Sequence, residues 1–170
     1  MIIIDNCISD IDSFRERALS LTYTKSGEGN GWKGYRCLTE SDVSSELISL
    51  VSEKLCERDT MFIDANYRCY FHYSLEEDNL NTNKIHKDSN SDYAGVLYMT
   101  PNPIANSGTS IYNDLGEVIE EFDNIYNRLI IYSANEWHSV NKCFGEDAES
   151  GRLTFTIFCN LKQKNTNSII

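Results

Sequence analysis

The sequence predicts an α+β fold in which two N-terminal helices support a mainly β domain. Apolar residues recur at helical spacing in the first third of the chain, and from Met61 onward the pattern changes to the alternation typical of strands. Helices followed by a run of strands favour helices packed on one face of a β-sandwich or barrel. A chain of 170 residues fits a single domain, residues 1–170. We expect helical support over 1–60, a β core over 61–161 and a polar tail over 162–170.

The helical region begins after a short predicted strand, residues 2–4. Ser9 or Asp10 can cap the first helix, whose apolar positions are Ile11, Phe14, Ala18 and Leu21. Residues 39–42 have the form of a capping box for the second helix. Its apolar stripe comprises Val43, Leu47, Leu50, Val51 and Leu55. Both helices therefore present one apolar face to a sheet.

The β region contains five segments that are rich in β-branched and aromatic residues. They cover residues 61–73, 93–100, 109–112, 128–133 and 152–161. Turn residues separate several of them, at 101–103 and 106–108.

The composition restricts the partners that this chain can bind. Fifteen basic residues against 26 acidic ones give a net charge of −11, which argues against nucleic acid and favours a basic or neutral substrate. No apolar run is long enough to span a membrane, and no signal peptide is predicted. Six cysteines without a CxxC pair indicate reduced thiols rather than disulfides or a zinc site, so we expect a cytoplasmic protein.

His86 and Asp88 form an HxD sequence that can supply two metal ligands. In an extended segment, side chains two residues apart point to the same side, so the imidazole and the carboxylate would lie together. The flanking residues are polar, and a solvated surface turn remains the alternative for this segment.

His138 is the candidate third ligand. It follows a predicted buried strand, residues 128–132, and a tight turn, which would hold the imidazole firmly. Two histidines and one carboxylate are the facial ligand set of non-haem Fe(II), which leaves positions open for a cosubstrate and O₂. The alternative is a partly buried histidine that satisfies its hydrogen bonds within the protein.

Arg152 opens a strongly β segment and is the candidate anchor for an anion. It shares one strand face with Thr154, Thr156 and Phe158, while the opposite face is apolar. A buried guanidinium is costly without a negative partner, and a carboxylate matches its planar fork. Thr154 could add a hydroxyl donor. Alternatively, Arg152 lies at a strand end, exposed to water or paired with Glu146, Asp147 or Glu149.

This ordered set resembles the Fe(II)- and 2-oxoglutarate-dependent dioxygenases, in the prolyl-4-hydroxylase-like branch. The resemblance covers about residues 61–160. The segments that carry it are 86–88, 94–99, 108–112, 127–132, 137–139 and 151–154.

The resemblance implies a double-stranded β-helix, or jelly roll, with Fe(II) held by His86, Asp88 and His138. Arg152 would clamp the far carboxylate of 2-oxoglutarate. The implied enzyme is a hydroxylase that consumes 2-oxoglutarate and O₂ and releases succinate and CO₂. Ascorbate is a possible accessory reductant. Its substrate would be a protein residue, such as a prolyl residue, or a small amino-acid-like molecule.

One part of the family pattern stays open in this sequence. The family often places a tyrosine near the cosubstrate on the strand before HxD, and here Tyr67, Tyr70 and Tyr73 compete. Tyr70 is favoured because its strand face is polar, while His72 on that face is expected to be a supporting or surface residue.

Two rival classes are a cupin-like metal protein without 2-oxoglutarate and a non-catalytic jelly-roll binding module. Substrate identity and oligomeric state are open.

Overall fold

The computed structural model describes residues 1–27, 32–38, 45–58, 62–81, 85–88 and 90–163. These residues form ten strands, two α-helices and a 3₁₀ helix at Glu76–Asn81. The helices are α1 (Ile11–Leu19) and α2 (Ser45–Arg58). The first five strands are β1 (Ile2–Ile4), β2 (Thr24–Lys25), β3 (Tyr35–Leu38), β4 (Phe62–Ser74) and β5 (Tyr93–Tyr98). The others are β6 (Thr109–Tyr112), β7 (Val118–Phe122), β8 (Leu129–Ser133), β9 (Trp137–Val140) and β10 (Arg152–Gln163).

The strands form two antiparallel sheets. The major sheet has seven strands in the order β1-β8-β5-β10-β4-β3-β2, and the minor sheet has three in the order β7-β6-β9. The long pairing of β10 with β4 runs from Arg152 opposite Ser74 to the far ends of both strands. Because each strand alternates its side chains between two faces, this pairing separates one set of residues toward the helices from another set toward the minor sheet.

The helices cover the outer face of the major sheet. Leu47, Val51 and Leu55 of α2 are each at most 2% exposed, and Leu50 packs at the edge of the same cluster. From α1, Phe14 places its ring 5.2 Å from that of Phe71. The apolar stripe predicted for the second helix therefore packs on the sheet within the described residues. Val43 and the predicted capping box at 39–42 lie outside them.

The inner face of the major sheet packs against the minor sheet around a second, smaller apolar cluster. Ala94, Val96, Tyr98, Ile111, Phe122, Ile130, Tyr132 and Ala134 make up its buried members. Along β10, Leu153, Phe155, Ile157 and Cys159 lie in the helix-side core, whereas Arg152, Thr154 and Thr156 lie on the other strand face. This is the arrangement that the alternation in that segment predicts, and it confirms a β fold of two facing sheets with supporting helices.

Four of the strands are not predicted by the sequence pattern. β2 and β3 lie between the two predicted helices, where no strand is predicted, and β7 is exposed over four of its five residues. β9 contains His138 itself, which the sequence places after a turn but not on a predicted strand. The cysteines are all free, as expected. No helix of the described residues has the length and apolar character needed to cross a membrane.

Candidate active site

A cavity of about 580 Å³ opens between the two sheets. Its walls come from both sheets and from the segment 85–88. Five of the six residues that the sequence singles out line it: Tyr70, His86, Asp88, His138 and Arg152. Residues as far apart in the chain as Tyr70 and Arg152 thus reach one internal space.

His86, Asp88 and His138 come together at one side of this cavity. Each offers a ligand atom, and these atoms all lie within 4.8 Å of one another. The His138 Nε2 atom is 3.3 Å from Asp88 Oδ2, and the His86 Nε2 atom is 3.8 Å from Asp88 Oδ1. Ligands at about 2.0–2.2 Å from an ion and at right angles stand about 3 Å apart, so the spacing of these atoms fits one transition-metal ion.

The backbone explains why these three side chains converge. Residue 86 pairs with residue 138 in an isolated antiparallel bridge, which attaches the HxD segment to β9. The Asp88 amide donates to the Ala134 carbonyl at 2.8 Å, just past the buried end of β8. The side-chain exposures are 44% for His86, 19% for Asp88 and 6% for His138, so the cluster reaches from the cavity mouth to the interior.

The Glu136 carbonyl selects the tautomer in which a neutral His138 can bind a metal ion. Its Nδ1 atom lies 2.9 Å from the Glu136 carbonyl oxygen, which can only accept, so Nδ1 carries the proton. The lone pair is then on Nε2, the atom that faces Asp88. The Tyr132 ring packs 4.8 Å from the imidazole ring. Burial raises the pKa of Tyr132 well above its usual value, with a smaller contribution from the Asp88 charge.

Arg152 is buried, at 5% exposure, in the wall of the same cavity. Its Nε donates to the Ser107 carbonyl at 2.8 Å, and Nη2 donates to the Gly108 carbonyl at 3.3 Å. The guanidinium lies 5.4 Å from the centre of the Tyr98 ring. Among the described residues, no carboxylate lies within salt-bridge distance of it. The alternative of an Arg152 exposed to water, or paired with Glu146, Asp147 or Glu149, is therefore wrong.

The two remaining predicted site residues differ in position. Tyr70 lines the cavity, whereas Tyr67 and Tyr73 pack against the helix-side core on the opposite face of β4. Thr154 is fully buried, and its hydroxyl donates to the His72 carbonyl at 3.1 Å. Its single proton is therefore used between β10 and β4.

Arg36 and His72 are two of the polar residues in the cavity wall that the sequence does not predict as ligands or cosubstrate contacts. Arg36, on β3, appears in the sequence as one of several scattered basic residues. His72 is enclosed beside it, and burial, Arg36 and Arg152 lower its pKa to about 3. Its Nε2 atom bonds the Lys33 carbonyl. Only the pairing of β3 with β4, which sets residue 36 opposite residue 72, brings them together.

Solved structures similar to this one come mainly from 2-oxoglutarate oxygenases. A viral collagen prolyl hydroxylase from Paramecium Bursaria Chlorella virus-1 aligns at 11% identity with a TM-score of 0.65, covering 95% of this chain and 96% of that one. A Pseudomonas putida prolyl-4-hydroxylase aligns at 10% identity with a TM-score of 0.63, covering 95% and 92%. The non-heme alpha ketoglutarate dependent epimerase SnoN, from nogalamycin biosynthesis, aligns at 8% identity with a TM-score of 0.64, covering 93% and 76%.

At the sequence level, neither a family model nor a curated protein matches the chain. The similarity is therefore one of fold, and it extends over almost the whole chain. The expectation of a jelly roll is confirmed: this chain has the double-stranded β-helix fold of these 2-oxoglutarate- and Fe(II)-dependent oxygenase structures.

Proposed function

We propose that this protein is an Fe(II)- and 2-oxoglutarate-dependent oxygenase and that it acts as a hydroxylase, like the prolyl hydroxylases among the similar structures. One observation carries the proposal. The cavity holds a compact set of two histidines and one carboxylate together with a buried arginine that has no carboxylate partner among the described residues. A metal site alone would not need that arginine.

His86, Asp88 and His138 would hold the iron. Their donor set, two imidazoles and one carboxylate, is the facial set that suits Fe(II) and leaves coordination positions open. The Glu136 carbonyl would fix the orientation of His138, and the Ala134 carbonyl would fix the backbone at Asp88. These contacts prearrange the ligands, so that little ordering is left for metal binding.

Arg152 would bind the carboxylate of 2-oxoglutarate that lies away from the metal. The Ser107 and Gly108 carbonyls hold its guanidinium in one orientation. A planar guanidinium that is already oriented and largely desolvated gives a strong, directional pair with a carboxylate. Tyr70 is a second candidate contact, because it lines the same cavity.

When bound, Fe(II), 2-oxoglutarate and O₂ supply an oxidative decarboxylation that gives succinate and CO₂ and oxidises a substrate C–H bond. The chain supplies position and exclusion of water. Tyr132 and Thr109 line the cavity and are buried, which helps to keep the reacting groups away from bulk solvent. The substrate would be a protein residue or a small molecule, and six free thiols support a cytoplasmic location.

The test is an anaerobic titration followed by visible absorption. Protein with Fe(II) should develop a weak visible charge-transfer band when 2-oxoglutarate is added, and Asp88→Ala protein should not. Metal binding without the band would favour a cupin-like metal protein. No metal binding in the wild-type protein would favour a non-catalytic binding module.

A further inference from the structure

The cavity is positively charged although the chain as a whole is acidic. Among the residues that the structure describes, its lining contains five cationic side chains and one carboxylate, Asp88; the cations are Lys33, Arg36, Arg68, Lys87 and Arg152. In a chain with a net charge of −11, this is a marked local reversal. A cavity with low-dielectric walls concentrates such a field on whatever enters it.

The proposed iron and cosubstrate do not use up this positive charge. In a count of charges, the +2 of Fe(II) cancels the −2 of the 2-oxoglutarate dianion. The −1 of Asp88 likewise cancels the +1 of Arg152, although the two side chains form no ion pair. Four cations of the lining are left over: Lys33, Arg36, Arg68 and Lys87. The excess therefore belongs to the part of the cavity that would receive the substrate.

Arg36 is the cation most firmly built into this wall. Its guanidinium carbon lies 4.6 Å from the centre of the Trp32 ring and 5.2 Å from that of Tyr70, with Phe158 at 5.9 Å. Its Nε atom is buried without a hydrogen-bond partner. Within the described ranges no carboxylate forms a salt bridge with it.

This environment holds the guanidinium in place without neutralising it. Burial lowers the pKa of Arg36 to about 10, although Tyr70 and Asp88 act in the opposite direction, so the group is still charged at neutral pH. Aromatic faces stabilise a cation by roughly 0.5–2 kcal/mol each at most, less than a buried cation loses on leaving water. An anion arriving from solution would supply the missing interaction.

We propose that Arg36 binds a carboxylate of the primary substrate, and that the substrate is therefore an acid rather than the basic or neutral molecule that the overall charge favours. The inference rests on the proposed function, because it assigns Arg152 to 2-oxoglutarate and Arg36 to the second ligand. The position of Arg36 supports it: Arg36 lines the same cavity as Asp88, and its guanidinium lies against the ring of Tyr70, which lines that cavity too. The carboxylate would belong to a free amino or carboxylic acid, or to an acidic residue of a peptide.

The test compares acids with their own amides. Protein loaded anaerobically with Fe(II) and saturating 2-oxoglutarate is titrated by calorimetry with a panel of L-amino acids and N-acetyl-L-amino acids, each as the free acid and as the primary amide. A second arm uses capped tripeptides with a central glutamate or glutamine. We expect at least one acid to bind about tenfold or more tightly than its amide, a difference of about 1.4 kcal/mol. Preference for free acids or for the glutamate peptide identifies the source of the carboxylate.

Arg36→Gln should remove the preference for acids, while Arg36→Lys should keep part of it. The matched control is Arg58→Gln, which also removes an arginine over an aromatic ring, Tyr93, but outside the cavity lining. The affinity for 2-oxoglutarate should stay within about twofold in all three variants. Equal response to acids and amides, including no response to either, would overturn the proposal, as would an unchanged preference in Arg36→Gln.

The proposed function can fail separately. If the wild-type protein shows no chelate band, the acid and amide titrations are repeated on metal-free Arg152→Leu protein, in which an acid cannot use Arg152. An acid preference that still depends on Arg36 would leave the Arg36 assignment standing without the oxygenase. A chelate band without any acid preference would support the oxygenase and overturn the Arg36 assignment.

Discussion

His86 and His138 exchange both of their backbone hydrogen bonds. The His86 amide donates to the His138 carbonyl at 3.0 Å, and the His138 amide donates to the His86 carbonyl at 2.9 Å. Residues paired in this way in an antiparallel bridge direct their side chains to the same side. The two imidazole rings accordingly lie with their centres 4.4 Å apart. The geometry of the proposed iron site is thus set by main-chain pairing, before any metal is bound.

The first prediction concerns the metal. His138→Gln should weaken Fe(II) binding by more than the roughly 10–100-fold that is typical when a supporting partner of a ligand is lost, because a ligand itself is removed. Anaerobic calorimetry with Fe(II) measures this. The control is Glu120→Gln, an exposed carboxylate on β7. Equal Fe(II) affinity in His138→Gln and wild-type protein would exclude His138 as a ligand.

Arg152 gives the second prediction. Arg152→Leu should leave Fe(II) binding largely intact and weaken 2-oxoglutarate binding by about 2–5 kcal/mol, because a desolvated carboxylate loses its charge partner. Arg152→Lys should recover only part of this, since it has no bidentate fork. The 2-oxoglutarate affinity of each variant is measured by titrating its Fe(II) form with 2-oxoglutarate under nitrogen. An unchanged affinity in the leucine variant would remove Arg152 from the site.

Much of this site follows from the sequence because its residues lie on strongly patterned segments. The alternation along residues 152–158 predicts which side of β10 faces the cavity, and the buried strand before His138 predicts that this histidine is held firmly. The fold class follows from the change of period near residue 61. These are local signals, and each depends on only a few neighbouring residues.

Arg36 could not be found in this way, and His72 could be placed only on the polar face of its strand. β3 is four residues long and lies in a glycine-rich region, so its pattern is too short to indicate a strand. The environment of both side chains comes from the pairing of β3 with β4, across more than 30 residues of chain. The net charge does not reveal the cationic lining of the cavity for the same reason, because the cations that line it are far apart in the sequence.

The third prediction concerns the packing of α2. Leu47 is 2% exposed in the helix-side core, so Leu47→Ala should lower the free energy of unfolding by about 2–5 kcal/mol. Urea denaturation measures it. Ser49→Ala, on the exposed side of the same helix, should change the stability by no more than about 0.5 kcal/mol. A Leu47→Ala effect as small as that of the control would mean that α2 does not support the sheet.

His72 gives a prediction on pH. Its pKa is about 3 in the folded protein, against about 6.5 in an unfolded chain. Between these values the unfolded state binds a proton that the folded state does not, so stability falls as the pH falls through this window. The slope from one such group is at most about 1.4 kcal/mol per pH unit.

His72→Gln isolates this contribution, because glutamine can still donate to the Lys33 carbonyl but does not titrate. Denaturant unfolding at several values between pH 6 and pH 4 should show a smaller loss of stability in the variant than in the wild-type protein. The other titrating groups are common to both proteins and cancel in the difference. Parallel stability curves would show that His72 is protonated as readily in the folded protein as in the unfolded chain.

The central claim, that this chain consumes 2-oxoglutarate and O₂ at the His86, Asp88 and His138 cluster, is tested most directly by measuring succinate. Protein supplied with Fe(II), 2-oxoglutarate and ascorbate should release succinate in air and none under nitrogen. Asp88→Ala protein should release none in either, whereas Glu120→Gln protein should match the wild type. Succinate release from the wild-type protein in air that is no greater than that from Asp88→Ala would contradict the account.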